Sequence, residues 1–397
     1  MIRFLREKAS YIGWGIIIFF AGTMFTGTFL YNRYSKSNAP QQGRKKAVDF
    51  AQLGNLPISQ RRYAVMLNQT MASYKAQKPN EKLLPETLEL MHYNAFQQAL
   101  RYTVLLEGAK SQKIKVSGDE LNLFLERAYR ELDVKGKKEL KELLKRNNYP
   151  YKDFIEEQKS DILVQKFIEL LKAQVTVSDK DVDNKYQEIQ AQHLLFRGSD
   201  DAAQRQADQA FKDIQAGKEF KGEDLGWFGV GATLKEFEDV AFALEKGEVS
   251  KPVKTIYGYH LIKILDKRQK PRPKDFDYAK EKQQVLAEKQ NRAVDGFLQS
   301  AIGQGKLEVN DPIIKAIQSK LEAKPEDAIG AYQAQISANP ASPIPHYLLA
   351  KLYLMMQNPA LAKEELNRAV IKAQMNPQLD LPVFHQTVEQ LQKNQPR

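Results

Sequence analysis

The sequence predicts a mostly α-helical protein with one α+β insert, a transmembrane helix near its N-terminus and a helical repeat at its C-terminal end. Three observations predict this. Apolar residues recur at three- and four-residue steps through most of the chain, β-rich runs alternate with helices between residues 191 and 269, and one packing pattern returns 34 positions later in the tail. At 397 residues the chain is long enough for two to four units of roughly 100–200 residues each. With 27% charged and 42% hydrophobic residues, wholesale disorder and a polytopic membrane protein are both excluded. There is no cysteine, which removes disulfides, thiolate metal sites and cysteine nucleophiles.

Residues 9–32 carry no charge, and about 20 apolar residues suffice to cross a bilayer as a helix. Tyr11 and Trp14 at one end and Tyr31 and Tyr34 at the other sit as interfacial anchors. The apolar run exceeds the core of roughly 7–15 residues found in a cleaved signal peptide, so the segment reads as a retained anchor. Residues 1–8 then form a cytoplasmic N-terminus and residues 33–47 a basic tether.

Residues 48–190 read as a helical domain. Leu88, Met91, Ala95, Ala99, Tyr102, Leu105 and Leu106 make one apolar stripe. A second helical run starts after Asp119, and a third at Tyr151 buries Phe154, Ile155, Ile162, Phe167, Ile168 and Leu171. Val175-Thr176-Val177 is a strand-like break, and Ser178 with Asp181 three residues on is an N-cap signal.

Residues 191–269 change grammar: QHLLF is a strand candidate, and DDAAQRQADQAFKDIQAGKEF a helix ending near Gly217. LKEFEDVAFALEKGE is a helix stopping at Gly247, and VKTIYGYHLIKILDKR a strand pair turning near Tyr257-Gly258. Strand, helix, helix and strand in so short a span imply a compact α+β domain. Residues 270–315 follow as a polar helix and a lone strand candidate, KLEV, which requires an earlier partner for its backbone groups. In residues 316–397, Ala328, Tyr332 and Pro343 recur as Ala362, Leu366 and Pro377, each 34 positions later, the tetratricopeptide period.

Chemistry must be sparse. The five histidines form no paired metal spacing, and no nucleophile elbow or phosphate-cradling glycine loop is present. The net charge of +11 is spread through helices with interleaved acids, as in KGKKELKELLKRNNY, so a nucleic-acid partner is not expected.

The strings QHLLF, GEDLGWFGVG, EFEDVAFALEKGEVSKPVKT and YGYHLIKILDKR resemble the parvulin class of peptidyl-prolyl isomerases. LPISQRRYAVMLN, LLEGAKSQKIKVSGDEL and VTVSDKDVDNKY resemble the chaperone domain of the SurA, PpiD and PrsA folding factors of the bacterial cell envelope. In that family the isomerase is inserted into the chaperone domain, whose last strand comes afterwards. The resemblance implies an inner-membrane, single-pass chaperone and prolyl isomerase with its main domains in the periplasm. Unfolded or nascent secreted polypeptides are its expected partners, and the repeat tail is expected to dock a translocation or assembly partner. The alternative is a non-catalytic holdase or adaptor with a degenerate isomerase domain.

An X-Pro bond interconverts in tens to hundreds of seconds because amide resonance resists twisting. A catalyst needs to hold the proline ring and favour the twisted amide over both planar forms, so no cofactor and no metal are expected. By resemblance, His193 and His260 are the paired histidines and Thr255 the hydroxyl that holds them. Leu225, Phe228, Thr233 and Phe237 are the corresponding proline pocket. Read from the strand alone, His260 shares a face with Ile262 and Ile264, as a core histidine would. Two departures predict weakened catalysis. The chain passes from Phe220 through Lys221 to Gly222, without the segment that supplies a polar side chain in parvulins. Thr233 stands where the family pocket has a methionine, whose burial is worth about 1.5–3 kcal/mol.

Overall fold

A computed structural model describes residues 50–78 and 84–375, apart from 148, 199 and 256. The candidate anchor at residues 9–32 and the tether lie outside the described residues. Among the described residues, no helix is long and apolar enough to cross a membrane. The chain forms two compact units, residues 50–164 with 305–375, and residues 165–304. These boundaries fall inside a helix and after the polar helix, so residues 165–190 and 270–304 associate with the α+β block rather than with the helical domain.

In the first unit, β1 (Ala51–Leu53) is the middle strand of a three-stranded sheet, between β2 (Leu56–Ile58) and β7 (Leu307–Val309). β7 is the KLEV segment, and its antiparallel register sets Ala51 opposite Val309 and Leu53 opposite Leu307. Five helices follow β2: α1 (Gln60–Gln77), α2 (Pro85–Ser111), α3 (Gly118–Glu131), α4 (Lys137–Arg146) and α5 (Tyr151–Ala173). The α2 stripe is buried at Met91, Ala95, Phe96, Ala99 and Leu105, with Phe50 packed on Tyr63 and Phe96. α3 starts at Gly118, one residue before Asp119, because Ser117 and Glu120 form a reciprocal capping box. α3, α4 and α5 share a second core of Phe124, Leu140, Leu144, Tyr149, Phe154 and Ile162.

The tail folds as α10 (Pro312–Leu321), α11 (Pro325–Ala338), α12 (Ile344–Met355) and α13 (Pro359–Gln374). Ala328, Tyr332, Leu349, Ala350, Leu366 and Ala369 fill its core. These helices pack on α2 within the same unit: Tyr332 and Lys320 bond Glu89, and Tyr347 donates to Glu86 at 2.8 Å, where Lys351 also binds.

The second unit is a four-stranded antiparallel sheet in the order β4-β3-β6-β5. β3 is Gln187–Arg197, β4 Glu223–Gly229, β5 Val253–Thr255 and β6 Gly258–Gln269. QHLLF is therefore only the end of a longer strand, which bulges at Gln190/Ala191. α6 (Asp179–Asn184) carries the expected Ser178–Asp181 capping box, but Val175-Thr176-Val177 finds no ladder partner and is not a strand. α7 (Asp201–Gln215) covers one sheet face through Ala203, Ala207 and Tyr259. α8 (Lys235–Ala241) covers the other and stops well before Gly247. The reason is tertiary: the Gly247 and Ser250 N–H groups donate to Ile264 and Ile262 of β6, both at 2.8 Å, which an extended helix would forbid. α9 (Tyr278–Gln304) is the polar helix, and Phe297 on it meets Phe167 edge to face at 4.9 Å.

Candidate functional site

β3 and β6 place His193 and His260 on one sheet face, diagonally across the ladder that pairs Leu195 with His260. The rings stack at 5.3 Å and 17°, and their Nδ1 atoms are 3.1 Å apart. Such a contact needs one ring to donate and the other to accept, so at most one of the two Nδ1 atoms carries a proton. His260 Nε2 lies 2.9 Å from Thr255 Oγ1, which accepts the Tyr257 N–H at 3.1 Å. Burial, reinforced by His193, lowers the His260 pKa to about 4, so this ring is neutral at pH 7.

The β5–β6 turn holds Thr255 in place. Gly258, with φ +136°, lies so close to β3 that a Cβ would stand 2.1 Å from the Phe196 carbonyl oxygen. Only glycine fits there.

Phe237 of α8 presents its ring edge-to-face to His260 at 5.4 Å and to His193 at 5.9 Å. Phe228 lies 6.5 Å from Phe237, and Leu225 packs half-buried on the same apolar cluster. His193, His260, Thr255, Phe237, Phe228 and Leu225 thus converge on one face of the sheet. Thr233 stands before α8, and its Oγ1 is buried without a hydrogen-bond partner. Burying this hydroxyl without a partner costs about 1–3 kcal/mol.

Two side chains of the site were not singled out from the sequence. Glu238, next to Phe237, accepts the Gly231 N–H at 2.5 Å and an Arg292 N–H from α9 at 2.6 Å. Burial nevertheless raises the pKa of its carboxyl. The contact fixes α8, and with it Phe237, against the polar helix. Glu223 faces His193 across the β3–β4 ladder, its carboxylate 3.5 Å from Nε2. The short connection from α7 allows this: a Cβ on Gly222 would meet the His193 carbonyl oxygen at 2.7 Å, so glycine brings the chain against β3. No sequence spacing marks either carboxylate, since both partners are distant in the chain.

Among the described residues, no group of three or more His, Asp and Glu side chains could hold a metal ion. The arrangement is a short polar chain beside aromatic surface, suited to holding a proline ring next to a neutral hydrogen-bonding edge.

A SurA-like N-terminal domain model matches residues 1–168, and a PPIC-type PPIase domain model matches residues 170–266. The foldase protein PrsA 3 of Bacillus cereus is 33% identical over 238 residues, covering 56% of this chain and 77% of that protein. The chain belongs to the PrsA foldase family. The PrsA foldase of Bacillus subtilis is 34% identical over 188 residues, covering 41% of this chain and 60% of the relative. A crystal structure of the PrsA peptidylprolyl isomerase from Bacillus anthracis covers 52% of this chain and 95% of its own, at 26% identity and a TM-score of 0.25. As a PrsA-type foldase, the protein combines a chaperone role with peptidyl-prolyl cis-trans isomerase activity. Neither domain model extends beyond residue 266, so the tail helices are outside both matches.

Proposed function

We propose that this foldase binds X-Pro segments of unfolded secreted polypeptides on the sheet face bearing His193 and His260, and speeds their isomerisation there. Leu225, Phe228 and Phe237 contact the proline ring, Thr233 borders them, and His193, His260 and Thr255 form the polar edge. The observation that carries this reading is the convergence of the neutral His260, its 2.9 Å contact with Thr255 and its edge-to-face contact with Phe237. The chain of hydrogen bonds through Thr255, His260 and His193 fixes the edge, so the twisted amide meets a preorganised surface. Rate acceleration then comes from stabilising the amide after it has lost resonance, with no bond made or broken.

The uncharged stretch at residues 9–32 supports a single-pass anchor that holds the folded units on the periplasmic side of an inner membrane. The tail helices support a docking role for a translocation or assembly partner. A protease-coupled proline-peptide assay on the protein tests the site. A clear rate above buffer that drops at least tenfold in Phe237→Ala is expected, while no rate above buffer would remove the reading.

A second reading, a holdase whose isomerase site has weakened, is favoured by the unpartnered Thr233 hydroxyl and by the short connection at Gly222. It predicts that suppression of client aggregation survives the double substitution His193→Ala and His260→Ala.

A further inference from the structure

The polar chain at the site has two ends, and the structure shows what stands at each. At the buried end, Thr255 Oγ1 already accepts the Tyr257 N–H, so its own hydrogen has two possible acceptors. The Gly258 carbonyl lies at 3.4 Å, too long for a good O–H···O bond, whereas His260 Nε2 lies at 2.9 Å. Thr255 therefore donates to His260 Nε2, the His260 proton sits on Nδ1, and that proton is donated to His193 Nδ1 at 3.1 Å. His193 is then left with its proton on Nε2.

At the other end, Nε2 of His193 faces the Glu223 carboxylate at 3.5 Å. A ring nitrogen carrying hydrogen is attracted to a carboxylate, and one presenting a lone pair is repelled. The two ends were fixed by different elements, β5 and β4, yet they select the same pair of tautomers. In the opposite direction Thr255 would be left with the 3.4 Å contact, and a lone pair would face Glu223.

We propose that Glu223 is a positioning residue for the isomerase reaction: its carboxylate holds the proton on His193 Nε2 and so directs the chain His193–His260–Thr255 in one sense. The carboxylate comes from the strand that begins directly after Gly222, at a point where the shortened connection brings a charged side chain against the pair. Because Glu223 is 79% exposed, it can be changed without disturbing the core.

This inference rests on the reading that the histidine pair borders the proline site, and two readouts separate the two. The first is nitrogen NMR of the full chain labelled with 15N-histidine. Wild-type protein is expected to show His193 protonated on Nε2 and His260 on Nδ1. In Glu223→Lys, where a donor faces the ring and only Thr255 still favours this sense, the pattern should shift toward the opposite tautomers. The second is the proline-peptide assay, in which kcat/KM of Glu223→Lys should fall roughly five-fold through loss of the electrostatic bias on the His193 tautomer. An unchanged nitrogen pattern overturns the proposal, and so does a shifted pattern with undiminished kcat/KM. If the wild-type protein shows no rate above buffer, the isomerase reading fails, and the nitrogen pattern still decides whether Glu223 sets the tautomers.

Discussion

The two compact units bury polar side chains in opposite ways. In the helical unit, two buried polar clusters close on themselves. Arg62 pairs with Asp161 at 2.7 Å, Tyr102 donates to the same carboxylate at 2.7 Å, and the Arg62 guanidinium lies 3.8 Å from the centre of the Tyr102 ring. Glu89 joins Lys320 and Tyr332. These are ties between helices. In the sheet unit, the histidine pair instead forms a chain that runs from buried Thr255 to an exposed carboxylate and has aromatic surface beside it. A buried polar group is structural when its partners are all internal, and available for function when the chain ends at solvent.

The largest effect should come from breaking a closed tie. Asp161→Ala removes the carboxylate that the buried Arg62 guanidinium and the Tyr102 hydroxyl share and should cost about 3–5 kcal/mol. Chemical denaturation followed by hydrogen exchange should place the loss in residues 50–164 and 305–375. Equal loss of protection in the β3–β6 sheet would break the comparison.

Acid should act on both units. Burial depresses the pKa of His92 in α2 to about 4, as it does for His260. Each ring is neutral when folded and takes up a proton near pH 6.5 when unfolded, so the unfolded state binds more protons between pH 6.5 and 4. Stability is therefore full above about pH 6.5 and is lost as pH falls toward 4. Each histidine should contribute a loss of about 2 kcal/mol by pH 5. Denaturant midpoints measured from pH 7 to 5 test this, and His92→Asn should remove only the helical unit's share.

Smaller effects come from single hydrogen bonds. Tyr332→Phe removes one donor to Glu89 and should cost about 1–2 kcal/mol in thermal or chemical unfolding, with the proline-peptide rate unchanged. Thr233→Met replaces the unpaired hydroxyl with apolar surface. It should stabilise the sheet unit by about 1 kcal/mol and raise kcat/KM several-fold in the same assay. A fall in kcat/KM would show that the hydroxyl serves the substrate and is not a cost of the pocket.

The elements β3, β5, β6 and α8 were largely legible from local signals, whereas the roles of His193, His260, Thr255 and Phe237 came from the resemblance to parvulins, since the strand alone reads His260 as a core histidine. His193 lies in a short β-rich run, Thr255 and His260 flank a glycine turn, and Phe237 sits in an amphipathic helix. The helix running to Gly247 was misread for the converse reason. Its pattern is helical, but backbone bonds to Ile262 and Ile264 outweigh propensity there. Glu223 and Glu238 were not legible. Their meaning depends on His193 and Arg292, which no spacing along the chain connects to them.

The sequence by itself determined most of the helices, the Ser178 cap, the glycine turn at Gly258 and the need of KLEV for a strand partner. These follow from backbone hydrogen bonding and side-chain period, which act over a few residues. Only the tertiary structure decided that β1 is that partner, that the tail packs on Glu86 and Glu89, and that a carboxylate stands beside His193. Ion pairs, stacking and burial fall off with distance in space, and only folding sets those distances.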